Sequence, residues 1–407
     1  MKKSVRKRIL VNIAVSIVLG ATAIMMACDN AANTNEEKSN TPPPTTFTDE
    51  DFIYNDGTEP QLSFETNKSG DKALPFLSKD AIKERLAKTA PSLIDDNVSK
   101  LMVEPVSYTA PYSIGKADPN ALRLALERAN VFRRIAGLHP VTLDENLTTA
   151  AQKGAALMAI TGVSGHGKQP KPEGMDNDLY SAGIAATTKC NLATNSSLVD
   201  TIGTFIDDHG GTGDNIHANA KVGHRMKFLD HRLTSLGFGI APANPKGGIN
   251  ATLANYSNLE NAKHPDMGSW DFVAWPAPGY FPLKAGVFDR YPSLLPRWSV
   301  TLNRETYRFI ISQPNQAKVV ITHVNAPDGE KTWTYDTSAP NMYIGTSDIV
   351  FPDSSNGGYK PEPYMSYVFF INDPTHRYND GDIYKIELTT PKGETISYTT
   401  EFFDATK

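Results

Sequence analysis

Two histidines stand seven residues apart in the segment KVGHRMKFLDHRLTSLGFG, which covers residues 221–239. His224 precedes Arg225, and His231 precedes Arg232, just before an apolar run that is typical of a strand. An imidazole in such a segment can bind a metal ion, transfer a proton or hold a phosphate group. Either ring can equally be a hydrogen-bonded polar group at the end of a helix. The segment alone leaves these alternatives open.

The composition is that of a folded protein with more than one domain. The chain has 407 residues, of which 40% are hydrophobic and 21% are charged, and this is long enough for two domains. The formal net charge is -5, and the conspicuous cluster of lysine and arginine is MKKSVRKR at the N-terminus. Proteins that bind nucleic acid generally have a basic face in their folded part. The composition therefore predicts no binding to nucleic acid.

The first residues have the pattern of a secretory signal. MKKSVRKR is followed by the apolar run ILVNIAVSIVLGATAIMMA and then by Cys28. The segment MMAC resembles the lipobox of bacterial lipoproteins, with Met25 where leucine is usual. This resemblance implies that residues 1–27 are a signal peptide, and that acyl chains on Cys28 anchor the protein to a membrane of the cell envelope, facing outside the cytoplasm. A retained transmembrane helix is the alternative, because the run is close to the length that a bilayer requires.

Composition and periodicity predict four regions after the signal peptide. Residues 28–75 are rich in Asn, Thr, Pro and acidic residues, which is typical of a disordered tether. Residues 76–117 have a helical period that Pro91 divides into two short helices. Residues 118–285 combine helices, strands and a proline-rich connector, and residues 290–407 contain only short strand-like runs.

The region that starts at residue 118 is predicted to contain helices followed by an antiparallel sheet. Asp118, Asp144 and Ser197 have the positions of helix N-caps, and Gly137 has that of a C-cap. The strand-like runs LTSLGFGIAP and INATLANYS follow, and the link between them is too short for a parallel crossover. We therefore predict an α+β fold here and a small all-β sandwich in the C-terminal region, where IYKIEL alternates apolar and polar residues.

Several segments, taken in order, resemble the bacterial branch of the CAP superfamily, which includes cysteine-rich secretory proteins, antigen 5 and plant pathogenesis-related proteins. They extend over about residues 118–260 and read LERANVFRRIAGLHPVTLDENLTTAAQKGAALMA, GHG, KCNLAT, FIDD and VGHRMKFLDHRLTSLGFGIA. The connector FVAWPAPGYFP is similar to the segment that joins some bacterial members to a C-terminal β-sandwich. The resemblance implies an α-β-α sandwich followed by an all-β sandwich domain.

The same resemblance implies a cleft in which two histidines and two acidic residues hold a divalent ion, often zinc. By motif, the histidines correspond to His166 in SGHGK and to His224 in VGHR. One acid corresponds to Asp208 in FIDD, or to Asp207 if the alignment moves by one residue, and Cys190 replaces the other. A thiolate can bind zinc, but a single cysteine among apolar residues is usually a small buried hydrophobic residue.

The other notable residues of the matched segments are predicted to be structural. His231 matches no site position of the family and is expected at a helix end or on the surface. Asn130 and Arg133 match an Asn-x-x-Arg motif of the first helix, and Arg225 is expected to fix a helix end or an acid such as Asp230.

The resemblance favours an extracytoplasmic protein that binds a ligand or a partner, with a degenerate metal cleft and with the C-terminal domain as a spacer or a second binding module. A metal-dependent hydrolase of the peptidase type, using the histidine pair, is one alternative, and a protein that binds a lipid or a sterol is another. No Gly-x-Ser-x-Gly, His-Glu-x-x-His or phosphate-binding glycine loop supports an independent catalytic assignment. The sequence therefore assigns no catalytic residue and leaves the ligand open.

Overall fold

A computed structural model of the chain describes residues 76–94, 97–195, 197–209, 222–245, 247–256, 271–289, 295–303, 317–336, 364–371, 373 and 375–407. The predicted signal peptide, Cys28 and the tether lie outside these residues, and so does the strand-like run at 347–352. Within the described ranges, no helix combines the length and the apolar character that crossing a bilayer requires.

The segment before residue 118 contains one α-helix and little other regular structure. Helix α1 begins after Ser78, whose side chain accepts a hydrogen bond from the backbone N–H of Ala81. Where a second short helix was predicted, the structure has two 3₁₀ turns, and Pro91 is the first residue of one of them. The elements are α1 (Lys79–Lys88), the 3₁₀ turns Pro91–Leu93 and Val98–Leu101, and the antiparallel strands β1 (Met102–Glu104) and β2 (Lys116–Ala117).

The predicted helix starts are confirmed. Asp118, Asp144 and Ser197 are N-caps, and each side chain accepts a hydrogen bond from a backbone N–H in the first turn of its helix. Gly137, at φ 77, follows the C-cap of its helix by one residue. The helices are α2 (Pro119–Ile135), α3 (Glu145–Thr161), α4 (Asn177–Lys189), α5 (Leu198–Asp207) and α6 (Gly223–Phe228).

Helix α4 was not predicted, although it forms part of the candidate site. Its N-cap is Asp176, which is a normal start signal. Its buried residues are small, however, namely Gly183, Ala186 and Thr187. A helix that packs through small residues lacks the stripe of large apolar side chains by which an amphipathic helix is found in a sequence.

A four-stranded sheet packs against these helices. Its order is β3-β5-β6-β4, in which only the β3–β5 pair is parallel. Helix α3 lies so close to β5 that a Cβ at Gly239 would be 2.4 Å from backbone atoms of Ala151, so a glycine is needed there. The strands are β3 (Thr142–Leu143), β4 (Asn191–Thr194), β5 (Ser235–Ala241) and β6 (Ala251–Tyr256). Helices on a mainly antiparallel sheet confirm the predicted α+β class.

The C-terminal region is rich in strands that form two sheets. One has the order β11-β10-β13-β14-β8, and the other has the order β12-β9-β7. Their strands are β7 (Phe272–Trp275), β8 (Gly279–Leu283), β9 (Trp298–Asn303), β10 (Lys318–His323), β11 (Lys331–Asp336), β12 (Tyr364–Phe369), β13 (Ile383–Thr389) and β14 (Thr395–Asp404). The alternation predicted from IYKIEL is confirmed, because every second residue of β13 is buried.

Aromatic side chains connect the two C-terminal sheets. Trp298 of β9 contacts Tyr384 of β13 and Phe402 of β14, with ring centroids 5.7 and 5.9 Å apart. Phe272 of β7 stacks on Tyr398 of β14 at 5.7 Å. Large buried rings of this kind supply much of the stabilisation of a β-rich core.

The predicted limits of 118–285 and 290–407 need correction where the two regions meet. Strand β7 pairs with β9, and β8 pairs in parallel with β14, so both lie in the C-terminal sheets rather than in a connector. The prolines were misleading because β8, which contains Pro282, is at the edge of its sheet. An edge strand tolerates a residue that lacks a backbone N–H.

Candidate functional site

His166 lies in a tight loop between α3 and α4. It is flanked by Gly165 at φ 129 and Gly167 at φ 62, and backbone conformations of this kind favour glycine. A Cβ on Gly167 would be 2.9 Å from Oγ1 of Thr188, so the loop passes close to the last turn of α4. The buried amide of Gln169 holds the same loop, because its Nε2 donates to the carbonyl oxygen of Gly165.

The end of α4 fixes the orientation of the His166 ring. Nδ1 of His166 lies 2.8 Å from the carbonyl oxygen of Thr187. A carbonyl oxygen only accepts, so Nδ1 carries the hydrogen, and Nε2 of the neutral ring is left with its lone pair. Sequence reasoning missed the partner because α4 was missed. The Thr187 hydroxyl in turn donates to Oε1 of Gln169, so the end of α4 is also hydrogen-bonded to the loop that contains His166.

Asp208 orients the second histidine. Its Oδ1 is 2.9 Å from Nδ1 of His224, and its Oδ2 accepts hydrogen bonds from the backbone N–H groups of His224 and Arg225 at 2.9 and 3.2 Å. The N-cap residue of α6, Val222, supplies no side-chain cap, so Asp208 performs this role from outside the helix. Both oxygens of the carboxylate are therefore engaged within the protein.

The contacts of Asp207 and Asp208 differ from those expected of metal ligands. Asp208 was expected to bind the metal ion directly, but it is buried and contacts His224 through Nδ1, which leaves Nε2 of that ring as the outward nitrogen. Asp207, the alternative one residue earlier, is bound by Nδ1 of His209 at 3.2 Å and not by His224. A carboxylate that holds the far nitrogen of a metal-binding imidazole is common in metal sites.

The His224–Asp208 pair is stabilised electrostatically. Burial lowers the pKa of His224, but the charge of Asp208 and its hydrogen bond outweigh this effect, so the pKa lies above the usual value. Burial raises the pKa of Asp208, but the charge of His224, their hydrogen bond and the charge of Arg225 together bring it below the usual value. Asp208 is thus held in its ionised form, and the His224 side chain remains 36% exposed.

The pKa of His166 is shifted in the opposite direction to that of His224. Partial burial of its ring lowers its pKa, and the charges of Lys227, His224 and Lys168 lower it further, although the carbonyl of Thr187 acts in the other direction. These interactions show that the two predicted histidines lie within electrostatic reach of each other. His166 is therefore the member of the pair that is more readily neutral, which is the form that binds a metal ion.

Lys227 is part of the same cluster and was not predicted. Its Nζ donates a hydrogen bond to the carbonyl oxygen of Lys189, at the end of α4, with a distance of 2.8 Å. Nearby, Nδ2 of Asn191 donates to the carbonyl oxygen of His224 at 3.0 Å. His166, His224 and Lys227 are consequently all attached to residues 187–191. The sequence offered one signal, since Lys227 follows His224 by three residues and lies on the same side of a helix.

Cys190 does not belong to this polar cluster. The residue is fully buried in an apolar core with Ala151, Ala155, Met158 and Ala186. Burial raises the pKa of its thiol well above the usual range, so the thiolate that zinc would need is strongly disfavoured. Cys190 is a small hydrophobic residue of the core and is not supported as a metal ligand.

Arg225 connects the site to the C-terminal region. Its fully buried guanidinium donates to the carbonyl oxygens of Ile206, Asp207 and Arg297, and also to the hydroxyl of Ser299 on β9. The prediction that Arg225 fixes a helix end is confirmed, because two of these carbonyls belong to the last turn of α5. Its partners do not include Asp230. Helix α6 also packs on β12 through an apolar cluster formed by Val222, Met226 and Val368.

The remaining predicted residues are structural. The side chain of Asn130 exchanges two hydrogen bonds with the backbone of Val141, at 2.9 and 2.8 Å. Arg133 donates to four backbone carbonyls, including those of Phe228 and Asp230, and so holds the turn that follows α6. Nδ1 of His231 lies 3.8 Å from Oδ1 of Asp230. The side chain of His231 is only 7% exposed, so of the two predicted locations, a helix end or the surface, the surface is wrong.

Comparison with known families identifies the region that contains these residues. Residues 126–256 match the model of the family described as CAP, the cysteine-rich secretory protein family. The chain therefore contains a CAP domain, and this domain includes His166, Asp208 and His224. The match covers less than half of the chain. No curated protein matches the sequence.

Proposed function

We propose that this protein is a lipid-anchored, extracytoplasmic ligand-binding protein whose CAP domain holds a divalent metal ion weakly between His166 and His224. Membership of residues 126–256 in the CAP family supports extracellular binding in general terms. The observation that carries the metal proposal is that both rings are held by Nδ1, on the carbonyl of Thr187 and on Asp208. Both Nε2 atoms are therefore left as the nitrogens that can bind an ion.

The donor set fits a divalent ion that accepts imidazole nitrogen, such as zinc. His166 and His224 would be the protein ligands, and the ion would act as a Lewis acid toward a group on the ligand. No carboxylate of the described residues is available beside them, because Asp208 is engaged with His224 and Arg225. Two neutral ligands compensate less of the ion's charge than two histidines and two acids would, so we expect weak binding.

A hydrolase is the less favoured alternative. Metal-dependent peptide hydrolysis requires a carboxylate or a comparable base that takes a proton from water. Asp208 is buried, and both of its oxygens accept hydrogen bonds within the protein. We therefore expect hydrolytic activity to be slight or absent. A lipid or sterol ligand is also less favoured, because a cavity of about 320 Å³ that the described residues form beside α1 is lined by Lys83, Arg128 and Lys284 as well as by apolar residues.

Calorimetric titration of zinc into the metal-free protein tests the metal site. We expect His166→Ala and His224→Ala to lose most of the binding, because each removes one of the two Nε2 donors. His231→Ala is the matched control, since it removes an imidazole that lies outside the cluster. Equal binding in all four proteins would assign both histidines a purely structural role. Peptide cleavage that depends on zinc and disappears in Asp208→Asn would favour the hydrolase instead.

The anchor is tested separately at Cys28. We expect Cys28→Ala to abolish labelling by a fatty-acid analogue and to release the protein from the membrane fraction, because acylation requires the thiol. Cys190→Ala is the control and should leave both labelling and fractionation unchanged. Labelling that persists in Cys28→Ala, or a mature protein that retains residues 1–27 by mass spectrometry, would contradict the lipoprotein assignment.

A further inference from the structure

Lys227 is a partly buried lysine that faces no carboxylate of the described residues. Its Nζ donates a hydrogen bond to the backbone carbonyl oxygen of Lys189, and no carboxylate of the described residues forms an ion pair with it. Burial lowers its pKa, which shows that the surroundings disfavour the ammonium ion. An ammonium group has three N–H donors, and the contact with Lys189 uses one of them. A charged group in such a position is costly unless an anion accompanies it.

Positive charge predominates around this lysine. Its charge acts to lower the pKa of both His166 and His224, although Asp208 keeps the pKa of His224 above its usual value, and the charge of Lys168 adds to the effect on His166. The side chain of Lys168 folds over Gly165, directly beside His166 in the loop. The one acid of the cluster, Asp208, is buried, and its oxygens already face His224 and Arg225. Among the described residues, this cluster therefore offers a ligand cationic groups and neutral ring nitrogens.

The donors also converge in space. The His166 ring and the Lys227 ammonium are both anchored on carbonyls of the last turn of α4, and the backbone of His224 is held by Asn191, which begins the next strand. Lys227 and His224 lie three residues apart on α6 and so face the same side. An oxygen anion placed among these groups would accept hydrogen bonds from charged donors, which are the strongest hydrogen bonds in proteins.

We infer that the ligand of this cleft carries an anionic oxygen group, a carboxylate or a phosphate, and that Lys227 binds that group. The inference rests on the proposed function, because it concerns the ligand of the same cleft, but it makes a separate prediction. Lys227 opposes the binding of a metal ion alone, since both are positive, and it favours an anion. Its removal should therefore change the two affinities in opposite directions.

The experiment uses the full-length protein in nonionic micelles, with ¹³C-labelled histidine rings observed by NMR. Inorganic phosphate and acetate are titrated separately at constant ionic strength, with chloride as the background anion, and zinc is titrated in separate samples. The variants are Lys227→Gln, which removes the charge, and Lys227→Arg, which keeps it. Lys116→Gln, an exposed lysine on β2, is the control for loss of one positive charge.

We expect the preferred anion to bind Lys227→Gln about tenfold more weakly or worse, which corresponds to one lost charged hydrogen bond. Lys227→Arg should largely restore binding, and Lys116→Gln should not differ from the wild type. Zinc alone should bind Lys227→Gln more tightly than the wild type. If Lys227→Gln does not fold, a substitution of the exposed Lys168, Lys168→Gln, should still weaken anion binding, by a smaller factor.

The outcomes separate the two proposals. Anion binding that is equal in Lys227→Gln and in the wild type, or histidine signals that neither anion shifts, would overturn the inference about the ligand. Zinc that fails to bind any variant would overturn the metal site, while anion binding that depends on Lys227 would still stand. A preference for phosphate over acetate, or the reverse, identifies which oxygen group the cleft accepts.

Discussion

The two histidine pairs of the described structure differ in which ring nitrogen faces an oxygen atom. In the CAP domain, His166 and His224 are held by Nδ1 on an oxygen atom, and both residues are partly exposed. In the C-terminal region, the nitrogen that faces a partner is Nε2. His323 has Nε2 3.4 Å from Oδ1 of Asp382, and its side chain is 5% exposed.

The C-terminal pair is embedded in an aromatic cluster. His323 stacks on Tyr384 with ring centroids 4.5 Å apart, and Nε2 of His376 is 2.9 Å from the hydroxyl of the same tyrosine. Trp333 and Tyr378 contact His376 edge-on, each at 4.9 Å. Nε2 of His323 is buried and forms no hydrogen bond within the described residues, whereas Nε2 of His376 faces the Tyr384 hydroxyl, so this pair is packed inside the protein. The metal site that we propose would instead use Nε2 of His166 and of His224. Residue type alone does not distinguish a pair proposed to bind an ion from a pair packed in a core.

The largest effect on stability is expected from a substitution where the two regions are joined. Arg225→Ala should lower the free energy of unfolding by roughly 3–5 kcal/mol, because it removes a buried cation and leaves buried carbonyls without a donor. Chemical denaturation measures this loss, with the exposed Arg377→Ala as a control that should change stability by at most about 0.5 kcal/mol. A similarly small loss in Arg225→Ala would mean that the contacts with β9 do not hold the two regions together.

The two pairs should respond oppositely to truncation. His323→Ala should lower the free energy of unfolding by about 2–4 kcal/mol, because it opens a cavity in an aromatic core, yet it should leave zinc affinity unchanged. His166→Ala, at an exposed loop position, should do the reverse: it should cost stability little and should remove zinc binding. Unfolding and calorimetry on both variants give the four values. The comparison fails if His323→Ala weakens zinc binding while the fold is retained.

Substitution of Asp208 should have a smaller effect on zinc affinity, and it tests how Asp208 supports His224. Because Asp208 holds Nδ1 of His224 and would not contact an ion bound at Nε2, Asp208→Asn should weaken zinc binding by about 10–100-fold without abolishing it. Calorimetry on Asp208→Asn and His224→Ala separates support of the ligand from the ligand itself. Loss as complete as in His224→Ala would show that the carboxylate binds the ion directly.

The smallest expected effect is on the pH dependence of stability. Burial, together with the charges of His323 and Lys331, lowers the pKa of His376 to about 4. Between pH 6.5 and 4 the unfolded chain binds a proton at His376 that the folded protein does not bind, so acidification destabilises the fold through this residue. His224 behaves oppositely: its raised pKa gives stability that is complete below pH 6.5 and is lost as the pH rises through the folded-state value.

Urea denaturation at a series of pH values tests both of these pH dependences of stability. His376→Gln should lose stability more slowly than the wild type on acidification below pH 6.5, and His224→Gln should show less loss as the pH rises above 6.5. Identical profiles in all three proteins would contradict the assigned directions. His139→Gln, which changes a histidine outside both pairs, is the control.

Much of the fold could be predicted because its signals are local. The caps at Asp118, Asp144 and Ser197 depend on a side chain and an N–H two or three residues away. Helix α4 escaped prediction because its packing relies on small residues, whose pattern is weak. Strands β7 and β8 were misassigned because their pairing partners are far away in the sequence.

The site was predictable only in part for the same reason. The resemblance pointed to His166, His224 and Asp208; the structure pairs His224 with Asp208, and the charge of His224 acts on the His166 ring. Their roles were not predictable, because Asp208 acts through its hydrogen bonds to the first turn of α6, where His224 follows it by sixteen residues. Lys227 could not be singled out without α4, whose last carbonyls hold both Lys227 and His166.

Three of the four groups that accept hydrogen bonds from Arg225 are backbone carbonyls, those of Ile206, Asp207 and Arg297. Every residue type presents the same carbonyl, so a substitution at any of these three positions leaves the acceptor in place as long as the chain keeps its course. Apart from the Ser299 hydroxyl, the polar contacts that Arg225 makes at this junction thus depend on its own side chain and on the path of the main chain. Sequences on both sides of this junction can diverge widely over evolutionary time while the junction itself persists.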